Sequence, residues 1–396
     1  MEIKMAISKI TGICASAIML FLTACSSDKL ANVPAADTQR VISQGTIVGF
    51  DGEYNNHSWV GIPFAKPPVG DLRWKAPQQL GAFESELFKA TNHGSACTQF
   101  AGGLGGLEGD IGSIGGSEDC LYLSVYAPKL TSEQIANNNK KLPVMVWVHG
   151  GANKVGTGSM YDGSRLAAEQ NVIVVSINYR LGPFGWFLHP SLNKTGSDLD
   201  KSGNYGILDI IESLKWVKEN IASFGGDTSN VTLFGESAGA YNTFSLMLSP
   251  QAKGLFHKAI SQSGGLTLTS AEAASNFVKD GGKEFSAQQV ELYTHAVEQS
   301  EKNIEDVKFS LLATTDKDRA DLLKSLSAKQ LFNAYQYGGK SVRLRNPDLI
   351  SDGIVIPKGD PAVLFADVST HNNVSLIAGT NRDESKLYQF KDPELV

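Results

Sequence analysis

The sequence predicts an α/β fold built on a mostly parallel sheet with helices on both faces. Short apolar runs rich in β-branched residues recur along the chain, and segments with helical spacing lie between them. Continuous apolar strands that alternate with helices are typical of a parallel sheet whose two faces are both covered. The clearest strands are LPVMVWVHGG, NVIVVSINYR, NVTLFGES, KAISQSGG and NVSLIAGTN, each of which ends in glycine or polar residues.

Composition favours a globular protein with a large core. The chain has 396 residues, of which 42% are apolar and 19% are charged, enough for one large domain or two ordinary ones. Acidic side chains outnumber basic ones by 41 to 35, and no basic cluster is interleaved with aromatic residues. These features argue against a nucleic-acid partner.

The first 24 residues are expected to be an export signal rather than part of the fold. Two lysines precede an apolar run from Ile10 to Leu22, which is too short for a mature membrane-spanning helix. The run ends in LTAC, which resembles the lipobox of bacterial lipoproteins and makes Cys25 a candidate lipidation site. Ordinary cleavage near Ala24, which would give a secreted or periplasmic protein, is the alternative.

Beyond the signal, a polar tether at 25–40 is expected to lead into one domain at 41–396. Of the four cysteines, one lies in the signal and Cys25 is the candidate lipid site, which leaves Cys97 and Cys120. In an exported protein, two such cysteines favour a disulfide over a metal site or reactive thiols.

A long and mainly helical stretch lies between SQSGG and SVRLRNPDLI. It includes DKDRADLLKSLSAKQLFNAY, whose leucines recur at helical spacing. We expect this stretch to be a helical insertion ahead of the strand NVSLIAGT.

Ser237 is the first candidate for chemistry, because it stands between two glycines where a strand meets a helix. A credible strand, NVTLF, precedes it and a credible helix, AYNTFSLMLS, follows it, so Gly235 and Gly239 flank a sharp turn. Such a turn lifts a serine hydroxyl into a cleft at the helix N-terminus. A serine N-cap on an ordinary βα turn is the alternative.

The loop WVHGGANKVG supplies candidate donors for a developing oxyanion. Its glycines allow backbone N–H groups to turn toward a reacting carbonyl, and the N–H that follows the nucleophile joins them. Gly151, Ala152 and Ala238 are the predicted donors. A plain glycine-rich βα loop is the alternative, and His149 is expected to be a structural histidine beneath the loop rather than a base.

Two longer segments match the signatures of one known family. FGGDTSNVTLFGESAG, residues 224–239, fits a nucleophile signature, and EDCLYLSVYAP, residues 118–128, fits a second one. Further matches run from GIPFAKPPVGDLRW through NYRLGPFGW, GNYGILD, GLFHKAISQSG and SDGIVIP to GTNRDES. The chain therefore resembles the type B carboxylesterases, the cholinesterase and carboxylesterase branch of the α/β-hydrolase fold, from about Gly45 to Leu387.

The resemblance implies roles for individual residues. Ser237 corresponds to the family's nucleophile. Glu384 corresponds to the acid that orients the catalytic histidine, and its neighbour Asp383 is the less suitable acid. Cys97 and Cys120 correspond to the family's first disulfide pair, in agreement with the inference from export.

Three positions depart from the family pattern and bear on the acyl pocket. Asn153 replaces the usual aromatic after the oxyanion loop, Ile210 replaces a common glutamine, and Ser385 replaces the glycine after the acid. Between the two cysteines, Phe100 is the only aromatic residue. Cholinesterases place a tryptophan there against the quaternary ammonium, so choline esters are poor candidate substrates.

The sequence contains no histidine where the resemblance implies the catalytic one. In this fold the triad follows the order serine, acid, histidine, and SKLYQFKDPELV, the segment after Glu384, has no histidine. His257, in a segment that the family uses structurally, and His371, in a polar loop before a strand, are the remaining candidates. We therefore expect the C-terminal strand and the histidine loop to be missing from the chain as given.

The expected function is hydrolysis of carboxylic esters through an acyl-enzyme on Ser237, without a metal or organic cofactor. The expected partners are a small-molecule ester and, through Cys25, a membrane of a bacterial cell envelope. Without its histidine, the chain as given is expected to be a poor enzyme. The alternatives are a non-catalytic cholinesterase-like binding protein and an inactive gene fragment. A binding role needs neither the serine elbow nor the oxyanion loop nor Glu384.

Overall fold

A computed structural model describes residues 32–103, 105–137, 141–299, 302–334, 349–384 and 386. The expected export signal at 1–24, the candidate lipidation site Cys25 and the departure at Ser385 lie outside these residues. The described residues, from Asn32 onward, belong to one compact unit.

The strands are numbered along the chain. They are β1 (Arg40–Ile42), β2 (Gly45–Val48), β3 (Phe50–Asp51), β4 (Asn56–Pro63), β5 (Leu87–Lys89), β6 (Gln99–Phe100), β7 (Ile114–Gly115), β8 (Tyr122–Pro128), β9 (Leu142–Val148), β10 (Ile173–Ile177), β11 (Gly226–Glu236), β12 (Lys258–Gln262), β13 (Leu268–Ser270), β14 (Leu349–Ser351) and β15 (Ser375–Gly379).

The largest sheet among the described residues is mixed and has eight strands, in the order β15, β12, β11, β9, β10, β8, β4, β3. Smaller sheets are formed by β1, β2 and β5, by β13 and β14, and by β6 and β7. The first five strands of the largest sheet run parallel, and they are the five strands predicted from their apolar runs. At the other edge β8, β4 and β3 are antiparallel to their neighbours. Every residue of β10 is buried. Because successive side chains of a strand point to opposite faces, both faces of the sheet are covered there, so the predicted fold class is confirmed.

The helices are numbered in the same way. They are α1 (Ser132–Asn137), α2 (Ser164–Gln170), α3 (Gly182–Gly185), α4 (Tyr205–Asn220), α5 (Ala238–Leu248), α6 (Ala271–Ser275), α7 (Ala287–Glu298), α8 (Ile304–Ala313), α9 (Asp316–Ser325), α10 (Ala328–Asn333) and α11 (Pro361–Ala366).

Helices α6 to α10 occupy the chain between β12 and β15, which confirms the predicted helical insertion. The leucine-rich segment forms two helices rather than one, because Ser327 begins α10 with a capping box. Phe332 on α10 packs edge-on against the ring of Phe100 and at a tilt against that of Phe184. The insertion is therefore joined to the rest of the domain by aromatic contacts.

The folded domain begins earlier than the predicted boundary at residue 41. The N–H of Ala35 donates to the carbonyl of Gly49 at 3.0 Å. Thr38 is fully buried, and its carbonyl accepts from the indole N–H of Trp59. Arg40 lies over the same indole ring, 5.0 Å from its centroid. The predicted tether is thus too long at its C-terminal end. Its polar composition indicated a solvated segment, but hydrogen bonds of these residues attach them to the domain.

Cys97 and Cys120 form a disulfide, as both lines of sequence reasoning predicted, and both residues are buried. In the part of the chain that the structure describes, no helix is both long and apolar enough to cross a membrane.

Candidate functional site

Ser237 occupies a strained turn between β11 and α5. Its backbone has φ 52° and ψ −122°, a conformation that costs a non-glycine residue on the order of 1–3 kcal/mol. The neighbouring chain holds this conformation in place. The N–H of Ser237 donates to the carbonyl of Gln262 at 2.9 Å, and its carbonyl accepts from the N–H groups of Ala240 and Tyr241. The turn therefore presents the serine at the carboxyl edge of the parallel strands, at the N-terminus of α5.

The two flanking glycines are required by close backbone contacts. A Cβ atom on Gly239 would lie 2.0 Å from the carbonyl oxygen of Val148 at the end of β9. A Cβ atom on Gly235 would lie 2.6 Å from the backbone of Gly239 itself. Any side chain at either position would thus push α5 away from the sheet, so the glycine pattern around Ser237 follows from packing.

The glycine-rich loop after β9 lies directly against this turn. A Cβ atom on Gly150 would lie 3.3 Å from the Cβ of Ser237. The next three residues all have left-handed backbone, with φ 97° at Gly151, 58° at Ala152 and 56° at Asn153. The carbonyl of Val155 approaches Gly151 so closely that a Cβ there would be 2.0 Å from it. Such a run turns successive N–H groups toward one side of the loop.

Three N–H groups beside Ser237 have no acceptor among the residues that the structure describes. They belong to Gly151, Ala152 and Ala238, the three predicted donors. Ala238 is the first residue of α5, where N–H groups are left without intrahelical partners and the helix dipole favours negative charge. The arrangement can bind an oxygen that gains negative charge next to Ser237.

Glu384 is held beside the same turn by residues at the ends of β12 and β15. The hydroxyl of Ser263 donates to Glu384 Oε1, and the N–H of Asn381 donates to the same oxygen at 2.7 Å. These two hydrogen bonds, that from Ser263 first, lower the pKa of Glu384. Ser263 directly follows Gln262, the residue that accepts the N–H of Ser237. One strand end therefore supports both the serine and the acid.

Asp383, the neighbour of Glu384, makes ion pairs with other residues. Its carboxylate pairs with Lys386 at 3.2 Å and with Arg382 at 3.4 Å, and all three side chains are exposed. Burial, and then the negative charge of Glu384, raises the pKa of Glu236, the residue before Ser237. Glu384 rather than Asp383 is thus the carboxylate near the turn.

His257 and His371 lie too far from Ser237 to contact its hydroxyl. The N–H of Val231 donates to His257 Nδ1 at 3.2 Å, and Val231 stands six residues before Ser237 on one strand, about 20 Å away. Asn372, next to His371, donates to the carbonyl of Ser249 beyond the last turn of α5. Ser237 is at the other end of that helix, about 18 Å away.

His149 is a buried structural histidine, as expected. Its ring stacks on that of Tyr179 with centroids 4.3 Å apart, and its Nδ1 lies 2.8 Å from the carbonyl oxygen of Gly150. Burial lowers its pKa to about 4.

All seven histidines of the sequence are described, and among the described residues none binds the Ser237 hydroxyl. Their polar neighbours are Asp51 for His57, Ser124 for His93, Gly150 for His149, Glu291 for His189, Val231 for His257, Glu298 for His295 and Asp367 for His371.

Two sequence departures can be located. Ile210 is fully buried on α4, and Asn153 is buried with its side chain turned toward Asn242 on α5. In the described residues, no cluster of three or more histidine, cysteine, aspartate or glutamate side chains could hold a metal ion.

Ser263 is the residue of this site that the sequence analysis missed. It lies within the SQSGG that ends a predicted strand, but its contact with Glu384 joins residues 121 positions apart. Only the pairing of β12 with β15 brings the two together.

Comparison with known proteins points to one family. The model of the carboxylesterase family matches residues 36–394. The para-nitrobenzyl esterase of Bacillus subtilis (strain 168) is 38% identical over 354 residues, which cover 86% of this chain and 61% of the relative. Carboxylesterase 1D of Rattus norvegicus is 36% identical over 376 residues, which cover 93% of this chain and 61% of the relative. The chain thus spans about three fifths of the length of these relatives.

Solved structures agree with the sequence comparison. A structure of a PNB esterase superposes with a TM-score of 0.70 at 35% identity, covering 90% of this chain and 65% of the other. A carboxylesterase of Geobacillus stearothermophilus superposes with a TM-score of 0.68 at 32% identity, covering 90% of this chain and 64% of the other.

Proposed function

Because the chain belongs to the carboxylesterase family, we propose that the whole protein hydrolyses carboxylic esters through an acyl-enzyme on Ser237. The observation that carries the proposal is the strained backbone of Ser237 on a strand-to-helix turn, next to three N–H groups that no described residue binds. An ordinary serine N-cap needs neither the strain nor the second loop that lies against it.

In the proposed reaction, Ser237 Oγ attacks the ester carbonyl carbon and its proton passes to a base. The carbonyl oxygen becomes an oxyanion bound by the N–H groups of Gly151, Ala152 and Ala238. Collapse of this intermediate expels the alcohol, which takes up the proton, and leaves an acyl-serine that water hydrolyses to the acid. Glu384 stays ionised because its pKa is low, and so it stabilises the protonated base.

The mechanism needs a base, and none of the seven histidines is placed to act as that base in this structure. Loss of one triad member typically costs on the order of 10⁴ to 10⁶ in turnover. We therefore expect the 396-residue chain alone to react slowly at Ser237. A small external base such as imidazole should accelerate the reaction, because the nucleophile, the donors and the acid are already assembled.

The proposed substrates are uncharged carboxylic esters rather than choline esters. Phe100, the only aromatic residue between the two cysteines, packs edge-on against Phe332 with ring centroids 5.1 Å apart. Its ring is thus engaged within the fold and is poorly placed to bind a quaternary ammonium. The names of the relatives, para-nitrobenzyl esterase and carboxylesterase, agree with this choice.

A fluorophosphonate probe tests the nucleophile on the chain as it exists. We expect slow labelling of Ser237 that rises with imidazole concentration, no labelling of Ser237→Ala, and unchanged labelling of the control Ser310→Ala, whose serine is exposed on α8. Labelling that survives in Ser237→Ala would overturn the assignment.

A non-catalytic binding protein of the same family is the second candidate function, favoured by the absence of a described histidine at Ser237. Failure of the parent chain to be labelled at any imidazole concentration would support this candidate instead.

We propose further that the protein is exported and held to the cell envelope by a lipid on Cys25. The basis is the sequence LTAC after an apolar run of signal length. The expressed precursor should partition into detergent and carry a lipid on Cys25, whereas Cys25→Ser should remain unprocessed or soluble. Mass spectrometry that finds an unmodified mature N-terminus at Cys25 or Ser26 would exclude the anchor.

A further inference from the structure

Asn153 stands where the family pattern has an aromatic residue, and its side chain points into the protein. Its amide pairs with that of Asn242 on α5, and both residues are buried, at 5% and 0% exposure. We propose that Asn153 and Asn242 form a positioning pair that holds the oxyanion loop in register with Ala238. This inference rests on the proposed ester hydrolysis and adds residues that position its donors.

The two amides bind each other in both directions. Asn242 Nδ2 donates to Asn153 Oδ1 at 2.9 Å, and Asn153 Nδ2 approaches Asn242 Oδ1 at 3.4 Å. The backbone of Asn153 is held as well, because its carbonyl accepts from the N–H of Gly182 at 2.7 Å. Asn153 is therefore fixed from two sides at the point where the left-handed run of the loop ends.

Asn242 lies one helical turn after Ala238, four residues on, so the two residues share a face of α5. The pair therefore links the loop that carries two of the donors to the helix face that carries the third. Oxyanion binding depends on the relative placement of all three N–H groups. The link therefore controls the distance between the two donors of the loop and the N–H of Ala238.

A separate hydrogen bond holds the beginning of the loop. The Tyr179 hydroxyl donates to the carbonyl of His149 at 2.6 Å. The loop is thus held at one end by the contact of Asn153 with Asn242 and at the other by the contact of His149 with Tyr179. Ala152, between these ends, and Asn153, at the second of them, are non-glycine residues with left-handed backbone, and such a conformation persists only where its surroundings fix it.

Hydrogen exchange tests the positioning without requiring catalysis. The amides of Val155 and Gly182 report on the loop, because they donate to the carbonyls of Gly151 and Asn153. We expect Asn153→Ala and Asn242→Ala each to raise exchange at these amides about tenfold, and the double variant to raise it no further. Asn204→Ala is the matched control, since it removes a buried asparagine that binds Ile350 and leaves the loop untouched.

Kinetics with p-nitrophenyl butyrate in imidazole then separates positioning from general stability. Asn153→Ala should lower kcat on the order of 10²-fold with KM within about twofold, because misplaced donors weaken only transition-state binding. Asn204→Ala should retain the parent kcat.

Unchanged exchange in Asn153→Ala, or an additive increase in the double variant, would overturn the inference. An unchanged kcat in an active protein would do the same. If the parent chain shows no turnover but the exchange effect is present, the pair positions the loop and it is ester hydrolysis that fails.

Discussion

At the scale of single residues, the candidate site is shaped by groups that do not react. His149 illustrates this: it lies beneath the oxyanion loop, stacked on Tyr179, with its Nδ1 at the carbonyl of Gly150. Burial keeps it neutral, since its pKa falls to about 4. The neutral ring carries no charge at the site, and its contacts with Tyr179 and Gly150 support the loop.

His149 should make the protein less stable as the pH falls from about 6.5 to about 4. In the unfolded chain this histidine takes up a proton below pH 6.5, whereas in the folded protein it does so only near pH 4. The unfolded state therefore binds more protons in this window, and the free energy of unfolding falls by about 2 kcal/mol between pH 7 and pH 5 from this group alone.

Urea unfolding of His149→Phe at pH 7 and pH 5 measures this contribution. Phenylalanine keeps a ring to stack on Tyr179 but cannot titrate, so the loss of stability on acidification should be about 2 kcal/mol smaller than in the parent. An equal loss in the parent and His149→Phe would show that His149 is not the group that titrates.

At the scale of elements, the central feature is the crossing of α5 over the ends of β9 and β11. Gly239 is the second residue of α5, and within a helix alanine is ordinarily favoured over glycine by up to about 1 kcal/mol. A Cβ atom added to Gly239 would lie 2.0 Å from the carbonyl oxygen of Val148. The cost of this clash exceeds the gain in helix propensity. The contact is with backbone, so no rotamer change can relieve it.

Gly239→Ala should therefore lower the free energy of unfolding by about 3 kcal/mol despite its higher helix propensity. The same substitution at Gly81, where an added Cβ meets nothing within 4 Å, is the matched control and should be near neutral. Urea unfolding of both variants measures the difference. Equal stabilities would mean that α5 can shift without cost.

The sequence could predict the parallel half of the sheet, because its strands are continuous apolar runs. The antiparallel half could not be predicted in this way, because its strands contain polar residues that are buried. Strand β4 is buried almost throughout, although it includes Asn56, His57 and Ser58. Asn56 donates to the Ser58 hydroxyl, and His57 Nε2 lies 3.4 Å from Asp51 Oδ1, local contacts that cannot be read from apolar periodicity. Ser237, Glu384 and the donor loop could be predicted from motifs, whereas Ser263 and Asn242 depend on tertiary contacts.

At the scale of the whole molecule, the helical insertion is fastened to the sheet-bearing part by charged groups. Arg73 forms a two-pronged pair with Glu118 at 2.5 and 2.7 Å, and its remaining N–H groups donate to the carbonyls of Lys324 and Leu326 at the end of α9. Glu118 lies two residues before Cys120. The disulfide of Cys120 with Cys97 raises the free energy of unfolding by about 3 kcal/mol through loop closure. The signature motif EDC therefore stabilises the junction with the insertion.

A buried cluster of three side chains is the second contact between the insertion and the rest of the domain. Glu291 on α7 receives hydrogen bonds from Arg319 on α9 and from His189 in the loop after α3, the latter at 3.0 Å. Burial alone would raise the pKa of Glu291, but the hydrogen bonds from His189 and Arg319 lower it, so the carboxylate is ionised. The ring orientation of His189 is also fixed, because the N–H of Ser191 donates to its Nδ1 at 3.2 Å.

Glu291→Gln should lower the free energy of unfolding by about 4 kcal/mol, because it leaves the buried Arg319 without a counter-charge. Asp321→Asn is the matched control on α9, where the pair with Lys317 is exposed, and it should have no measurable effect. Replacing both partners, in Glu291→Leu with Arg319→Met, should recover most of the loss, because no charge is then left buried alone. Urea unfolding monitored by hydrogen exchange of α7 and α9 would place the loss in the insertion. If Glu291→Gln were as harmless as Asp321→Asn, the insertion would be held by its aromatic contacts through Phe332 rather than by this cluster.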